Sequence, residues 1–302
     1  MRWRQLSSIC LRFDCVVTAE PMALATAHPR QAGARLLDAR GRRRAGLRSG
    51  SGRDRVVLSG VLIDRISLAE SAAQIAAYLR TDRLHQIVTV NLDFLQIAQA
   101  DSGFRKTINE ADLAVADGMP LVWASRLTGR PLPERVTGNS LVEECCRHSA
   151  TTGAPMFLLG GRPGIAEAAG HAIKMRYPGA VIAGAYSPPF GPLSEKDDQE
   201  IVDRVNRSGA RMLFVAFGAP RQDTWIAAHR HELNVQVAMG VGCSLDVLAG
   251  AVSRAPLWMQ RSGLEWLHRF RLEPCRLWHR YFVKDTAMFA RLLAESLRAA
   301  LA

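Results

Sequence analysis

The sequence predicts an α/β protein in which a mainly parallel sheet carries helices on both faces. Three observations point there. From Val56 onward, short apolar runs of strand length alternate with stretches of helical pattern. Apolar residues make up 48% of the 302, enough to fill a sizeable core and too many for a disordered or collagen-like chain. The formal charge of +11 is unevenly placed: residues 1–53 carry eleven arginines against Asp14, Glu20 and Asp38 for +8, residues 254–302 carry +5, and residues 54–253 carry −2. A nucleic-acid-binding domain usually carries its charge on the folded part, so a neutral body with basic ends argues against nucleic acid. The chain divides into an Arg-rich arm (1–55), an α/β domain (56–253) and a basic C-terminal appendage (254–302).

In chain order, residues 41–55 (GRRRAGLRSGSGRDR) hold almost no core-forming residues and predict the end of a disordered arm. Such an arm is open to three readings: a solvated tail, a start placed too early, or a segment binding nucleic acid or anionic lipid. Residues 56–64 (VVLSGVLID) read as a strand or hairpin. Ser67 and Glu70 form a capping-box pattern opening a helix to about Arg80. Strands are predicted over 86–90, 112–116, 155–160, 180–186, 211–218 and 235–242. Helices are predicted through the nineties, over 120–127, from Gly164 to near Tyr177, through about Asn206, and from Pro220 to Leu233. Strands alternating with helices give a Rossmann-like sheet.

The six cysteines contain no CxxC pattern, and neither a disulfide framework nor a zinc site is indicated, which fits a reducing compartment. Arg12, Asp14 and Glu20 interrupt the apolar stretch 9–27, against a secretory signal. No run of 18 uncharged apolar residues is present to span a bilayer. The acids form no metal-ligand cluster and no cofactor is indicated.

Ligands of open α/β sheets sit beyond the C-terminal ends of the strands, which singles out Thr89 and Asn91, Asp117, Gly160 and Gly161, Gly218 to Gln222, and Gly240 to Asp246. Asp117-Gly118 reads either as a turn pair or as a carboxylate placed to take a proton from a substrate hydroxyl. Gly160-Gly161-Arg162-Pro163-Gly164 reads either as a tight strand–helix turn or as a phosphate cradle. A dinucleotide oxidoreductase has weak support, because the pattern is GGxxG and the next strand ends in Ala185-Tyr186 without an acid for a ribose. Asp246 reads as a helix cap or a pocket residue.

Residues 254–284 interleave Trp258, Trp266 and Trp278 with Arg254, Arg261, Arg269, Arg271, Arg276, Arg280 and Lys284. Arginine pairs bidentately with phosphate oxygens, and tryptophan favours the headgroup zone of a membrane. In the last helix Lys284, Arg291 and Arg298 share one face while Phe282, Phe289, Leu293 and Leu297 share another. That helix either lies on an anionic membrane or packs on the domain.

The ordered set Thr89-Val90-Asn91, Ala116-Asp117-Gly118-Met119-Pro120, Arg135-Val136-Thr137-Gly138, Phe157 to Gly161, Phe217 to Gln222, Val241-Gly242 with Asp246, Ala249-Gly250, Arg254-Ala255-Pro256, Gly263 to Leu267 and Glu273-Pro274 resembles the WecG/TagA/CpsF glycosyltransferase family. The resemblance runs from about Val57 to Phe282. It implies an inverting, metal-independent transfer of a hexose or N-acetylhexosamine from a UDP-sugar to a polyprenyl-diphosphate-linked saccharide, in exopolysaccharide or other cell-envelope polysaccharide synthesis. By resemblance Asp117 is the general base, Arg269 and Arg276 stabilise the leaving diphosphate, and Thr89, Asn91, Gly160, Gly161, Gln222, Asp246, Arg254 and Arg280 border the substrates. It also implies a cytoplasmic enzyme whose appendage attaches it peripherally to the inner face of the membrane; a homo-oligomer is compatible with the sequence. A non-catalytic accessory protein of a polysaccharide assembly complex is the rival. Arg221-Gln222-Asp223 stands where family members often have Lys-Gln-Glu, and His279 where another basic residue is expected. The donor falls among UDP-glucose, UDP-ManNAc and UDP-ManNAcA.

Overall fold

The computed structural model describes residues 53–301 apart from 190, 192 and 262. The expected arm therefore lies outside the described residues up to position 52, and its last three residues depart from the expected disorder. Arg55 opens strand β1 (Arg55–Leu58) and is buried, its Nε donating to Asp64 Oδ1 at 2.8 Å and its Nη2 to the Ala111 carbonyl at 3.2 Å. Paired charge, invisible to composition, orders these arginines.

β1 and β2 (Val61–Asp64) form an antiparallel hairpin. Its two-residue turn, Ser59-Gly60, has φ of 48° and 78°, the left-handed pair that matches strand twist. Helix α1 (Leu68–Tyr78) begins at the expected Ser67–Glu70 capping box. Then follow β3 (His85–Val90), α2 (Leu92–Ala100), α3 (Ser102–Glu110), β4 (Leu113–Ala116), α4 (Met119–Leu127), α5 (Gly138–Thr152), β5 (Met156–Gly160), α6 (Ile165–Arg176), β6 (Ile182–Tyr186), α7 (Glu195–Arg207), β7 (Met212–Ala216), α8 (Arg221–Ala228), β8 (Val237–Gly240) and α9 (Ser244–Leu248). Strands β3–β8 form one parallel sheet in the order β4-β3-β8-β7-β5-β6.

The sheet is covered on both faces, and the period of two along each strand shows how. Ile87, Leu113, Val115, Met156, Leu158, Phe214 and Met239 pack with α1, α5 and α6. Their neighbours face the other way: Val88, Val90 and Ala114 meet the hairpin, α2 and α3, while Leu159, Leu213 and Val215 meet α7 and α8. Helices α3 and α5 are not among the expected elements. Each has a side-chain cap: Asp101 Oδ1 accepts from Gly103 and Phe104, and Thr137 Oγ1 from Ser140.

The C-terminal segment continues as α10 (Leu257–Arg261), α11 (Glu265–Leu272), α12 (Pro274–Trp278), a π-helical stretch (His279–Asp285) and α13 (Thr286–Leu301). Of the two readings for the last helix, packing on the domain is what α13 does. Met288 and Leu292 are buried in the cluster that holds Phe94, Leu121 and Val122, and Phe289 packs against Trp123 with ring centroids 6.2 Å apart. Ser59 in the hairpin turn donates to Glu295 at 2.6 Å. The buried stripe is thus shifted by one residue from the anticipated Phe289–Leu293 face, and Leu297 stays exposed. Among the described residues no helix is long and apolar enough to cross a membrane.

Candidate active site

Asp117 stands at the C-terminal end of β4, in register with the end of β3 that carries Thr89 and Asn91. Its N–H donates to Val90 O at 2.7 Å, and Val136 N–H donates to Ala116 O at 2.8 Å. The second bond draws the segment 135–138 alongside β4 and brings the N-terminus of α5 onto Asp117. Thr89, on β3, lies under that helix start: a Cβ on Gly138 would sit 3.6 Å from Thr89 Oγ1. Asn91 caps α2, its Oδ1 accepting from Phe94 N–H at 3.1 Å.

The appendage covers this carboxylate. The turn between α10 and α11 seats Gly263 on Met119, so closely that a Cβ there would lie 2.6 Å from Met119 Cγ; with φ of 76°, the position requires glycine. Beneath it, Arg135 donates to Glu265 at 3.2 Å and to the Gln260 carbonyl at 3.0 Å, while Arg269 lies 3.9 Å from Glu265. Arg135 and Glu265 are nearly buried, so α11 is fixed over β4 by a charge pair that removal of either partner would leave uncompensated.

Burial raises the Asp117 carboxyl above the ordinary carboxylate range, outweighing Arg135, Arg269 and the Gly138 amide, which act to lower it; Glu265 adds to the rise. Burial acts to lower the Arg269 pKa, yet Cys243, Glu265, Asp117 and Tyr281 around it raise it on balance. The product is a carboxylate of elevated basicity beside a firmly charged guanidinium.

A second group of expected residues lies further along the same sheet edge. β5 leads to β6 on one side and β7 to β8 on the other, so the strand order reverses between β5 and β7, where α/β sheets open a crevice. Gly160 and Gly161 stand there with φ of 99° and 80°. Strand-end packing already demands glycine at both: a Cβ on Gly160 would meet Ala216 O at 2.7 Å, and one on Gly161 would meet Ile165 Cγ2 at 2.9 Å. Gln222 is buried, and its Oε1 accepts from Gly242 N–H at 3.0 Å. Asp246 Oδ1 accepts from Arg162 at 3.3 Å, tying the β5–α6 loop to α9.

The remaining expected arginines part company. Arg254 donates to Glu143 of α5 at 2.6 Å, and Arg176 approaches the same carboxylate at 3.3 Å. Arg280 pairs with Asp93 of α2 at 3.2 Å. The backbone of Arg276 lies in α12; its side chain is outside the described parts. Thr89, Asp117 and Arg269 are therefore brought together, joined by Arg135, Gly138 and Glu265, which strand-end reading did not mark as site residues. Arg135 follows no strand; its only sequence signal is the run Arg135-Val136-Thr137-Gly138. Among the described residues no group of three or more His, Cys, Asp or Glu is placed to hold a metal ion.

An acid at a strand end, flanked by arginines under a helical cover, defines an α/β enzyme suited to proton transfer beside an anionic group. The family model described as "Glycosyl transferase WecG/TagA/CpsF family" matches residues 56–301. The chain belongs to that family and is a glycosyltransferase. Relatives from Staphylococcus aureus strains MRSA252 and NCTC 8325 / PS 47 are each 29% identical over 246 residues, covering 81% of this chain and 94% of theirs. Both are named N-acetylglucosaminyldiphosphoundecaprenol N-acetyl-beta-D-mannosaminyltransferase.

Proposed function

We propose that the protein transfers a hexose or N-acetylhexosamine from a UDP-sugar to a polyprenyl-diphosphate-linked saccharide, with inversion and without a metal, in cell-envelope or exopolysaccharide synthesis. The observation that carries this reading is the Asp117 carboxylate, raised in basicity, with Arg135 and Arg269 beside it under the appendage. Asp117 takes the proton from the acceptor hydroxyl as its oxygen bonds to the anomeric carbon, and the bond from that carbon to the diphosphate breaks. Arg269 and Arg276 offset the charge gathering on the departing UDP. Thr89 and Asn91 border the acceptor side of the pocket. Gly160, Gly161 and Asp246 border the β5–β7 crevice suited to the nucleotide, and Gln222 braces the end of β8 beside it. The relatives' name supports the polyprenyl-linked acceptor and favours an N-acetylmannosamine donor among the three candidates.

The three-part division of the chain belongs to the same proposal, with the first boundary moved before residue 53: an arm, a catalytic domain to residue 253 and an appendage (254–302) that meets the lipid. Trp258, Trp266, Trp278, Phe282 and Val283 are each more than 40% exposed, and exposed Arg271, Lys284, Arg291 and Arg298 accompany them. Exposed aromatics with basic neighbours suit the inner, anionic face of the membrane, where the acceptor resides. The test is a panel of UDP-sugars with a short-chain prenyl-diphosphate-linked acceptor, scored by product mass and UDP release. Acceptor-dependent UDP release that vanishes in Asp117→Asn is expected; undiminished transfer by that variant would remove Asp117 as base.

A further inference from the structure

We propose that Arg280 is a positioning residue for sugar transfer, bridging Asp93 and Asp285 so that the π-helical stretch is latched to the start of α2 and Arg269 is held over Asp117. The inference rests on the reading of Asp117 and Arg269 given above.

The geometry begins with helix type. Arg280 and Asp285 are five residues apart, about 1.4 turns of an α-helix and hence on different faces. In the π-helical stretch His279–Asp285 the i→i+5 repeat returns residue 285 to roughly the face of residue 280. Arg280 Nε accordingly lies 4.0 Å from Asp285 Oδ2, and its Nη2 lies 3.2 Å from Asp93 Oδ2. Asp93 stands in the first turn of α2, two residues after the Asn91 cap that ends β3, so the latch anchors directly to the sheet edge that bears the site.

The load passes through the next residue. Tyr281 meets Trp266 edge-on with ring centroids 6.0 Å apart and borders Arg269. Releasing residue 280 would free Tyr281, loosen α11 and let Arg269 move away from Asp117. Charge argues against Arg280 as a diphosphate ligand. Two carboxylates offset the one guanidinium, which weakens it as a phosphate ligand. Arg280 Nε and Asp285 Oδ1 are both buried without a hydrogen-bond partner, so the Asp285 arm of the latch is a 4.0 Å ion pair and the Asp93 arm is the closer one.

The test is charge exchange in the full-length enzyme, comparing Arg280→Asp, Asp93→Arg and the double variant by UDP release and by limited proteolysis of the 251–256 connection. Each single variant is expected to lower kcat about tenfold or more with little change in donor KM, and to be cleaved faster. The double exchange is expected to recover part of both losses and to exceed either single variant, since it rebuilds the 93–280 pair in reverse while leaving two carboxylates at 280 and 285. A double variant no better than the worse single one overturns the proposal, as does a donor KM that rises in Arg280→Asp while kcat holds. Should the single variants melt below assay temperature, Arg280→Lys against Arg280→Gln decides at lower temperature, the latch requiring the lysine form to be the faster of the two. Proteolysis separates this proposal from the catalytic one: a wild type inactive on every donor, with the cleavage pattern as expected, would fault only the assignment of the reaction.

Discussion

Burial is the chief cause of the raised basicity of Asp117, and that gives its protonation a kinetic signature. With Asp117 as the proposed base the carboxylate is the active form, so the rate is expected to fall as pH drops through the raised value. The acid limb of kcat against pH is expected above the ordinary carboxylate range. Asp117→Asn should lose about 100-fold or more in kcat, with a melting temperature at or above that of wild type because a buried charge is gone. Asp223 offers a stability test without a catalytic role. It is fully buried, its Oδ1 lies beside Gly240, and burial pushes its pKa up to about 7 despite the Gln222 side chain, which acts to lower it. The folded state thus holds a proton that the unfolded chain releases near pH 4, so this group's stabilisation is present below that pH and lost as pH rises through about 7. Relative to wild type, Asp223→Asn should gain stability between about pH 4 and pH 8, by at most about 4 kcal/mol, read as the pH dependence of the difference in Tm. Of the site residues, Thr89, Asn91 and Asp117 were legible because strand ends can be read from periodicity. Gln222 was legible as a position but not as a brace, since nothing in a linear pattern shows that its carboxamide is taken up by Gly242.

Among the elements, the most consequential contact joins α11 to the segment before α5. Arg135→Ala leaves Glu265 buried without its closest cation and should cost about 3–5 kcal/mol in unfolding free energy. Arg135→Ala with Glu265→Gln should recover part of that in the same denaturation series. The β5–α6 turn gives a steric counterpart. Gly161→Ala must accommodate a Cβ 2.9 Å from Ile165 Cγ2 at a φ of 80° and should destabilise by about 1–3 kcal/mol, measured by denaturation without nucleotide. Strand and helix order was predictable from apolar periodicity over most of the domain. α3 and α5 were not anticipated, although each carries an apolar face, Phe104 and Ile108 in α3 and Leu141, Val142, Cys145 and Cys146 in α5, behind the capping residues Asp101 and Thr137. The hairpin, offered only as an alternative to a single strand, was settled by the left-handed turn at Ser59-Gly60.

For the whole molecule, the proposed function gives the appendage two tasks, covering Asp117 and presenting aromatics to lipid. Binding to vesicles rich in phosphatidylglycerol should exceed binding to phosphatidylcholine vesicles and fall with salt. Trp258→Ser with Trp278→Ser should weaken it about tenfold or more, as sedimentation would measure, while leaving UDP release from the donor in the presence of a water-soluble acceptor largely intact. Equal binding to neutral and anionic vesicles would argue against the basic residues' part.

Residue order alone carries the alternation that makes a parallel sheet, the strand ends on which a ligand site can form, and the motifs of the family. All of these are local or periodic, set by side-chain spacing along one stretch of chain. Which charges act was decided by tertiary structure alone. Composition shows an appendage rich in equivalent arginines, yet folding gives Arg254 to Glu143 and Arg280 to Asp93, and leaves Arg269 facing Asp117. Those partners lie more than a hundred residues away in the chain. An ion pair forms wherever packing brings opposite charges within a few ångströms, and no periodicity records that distance.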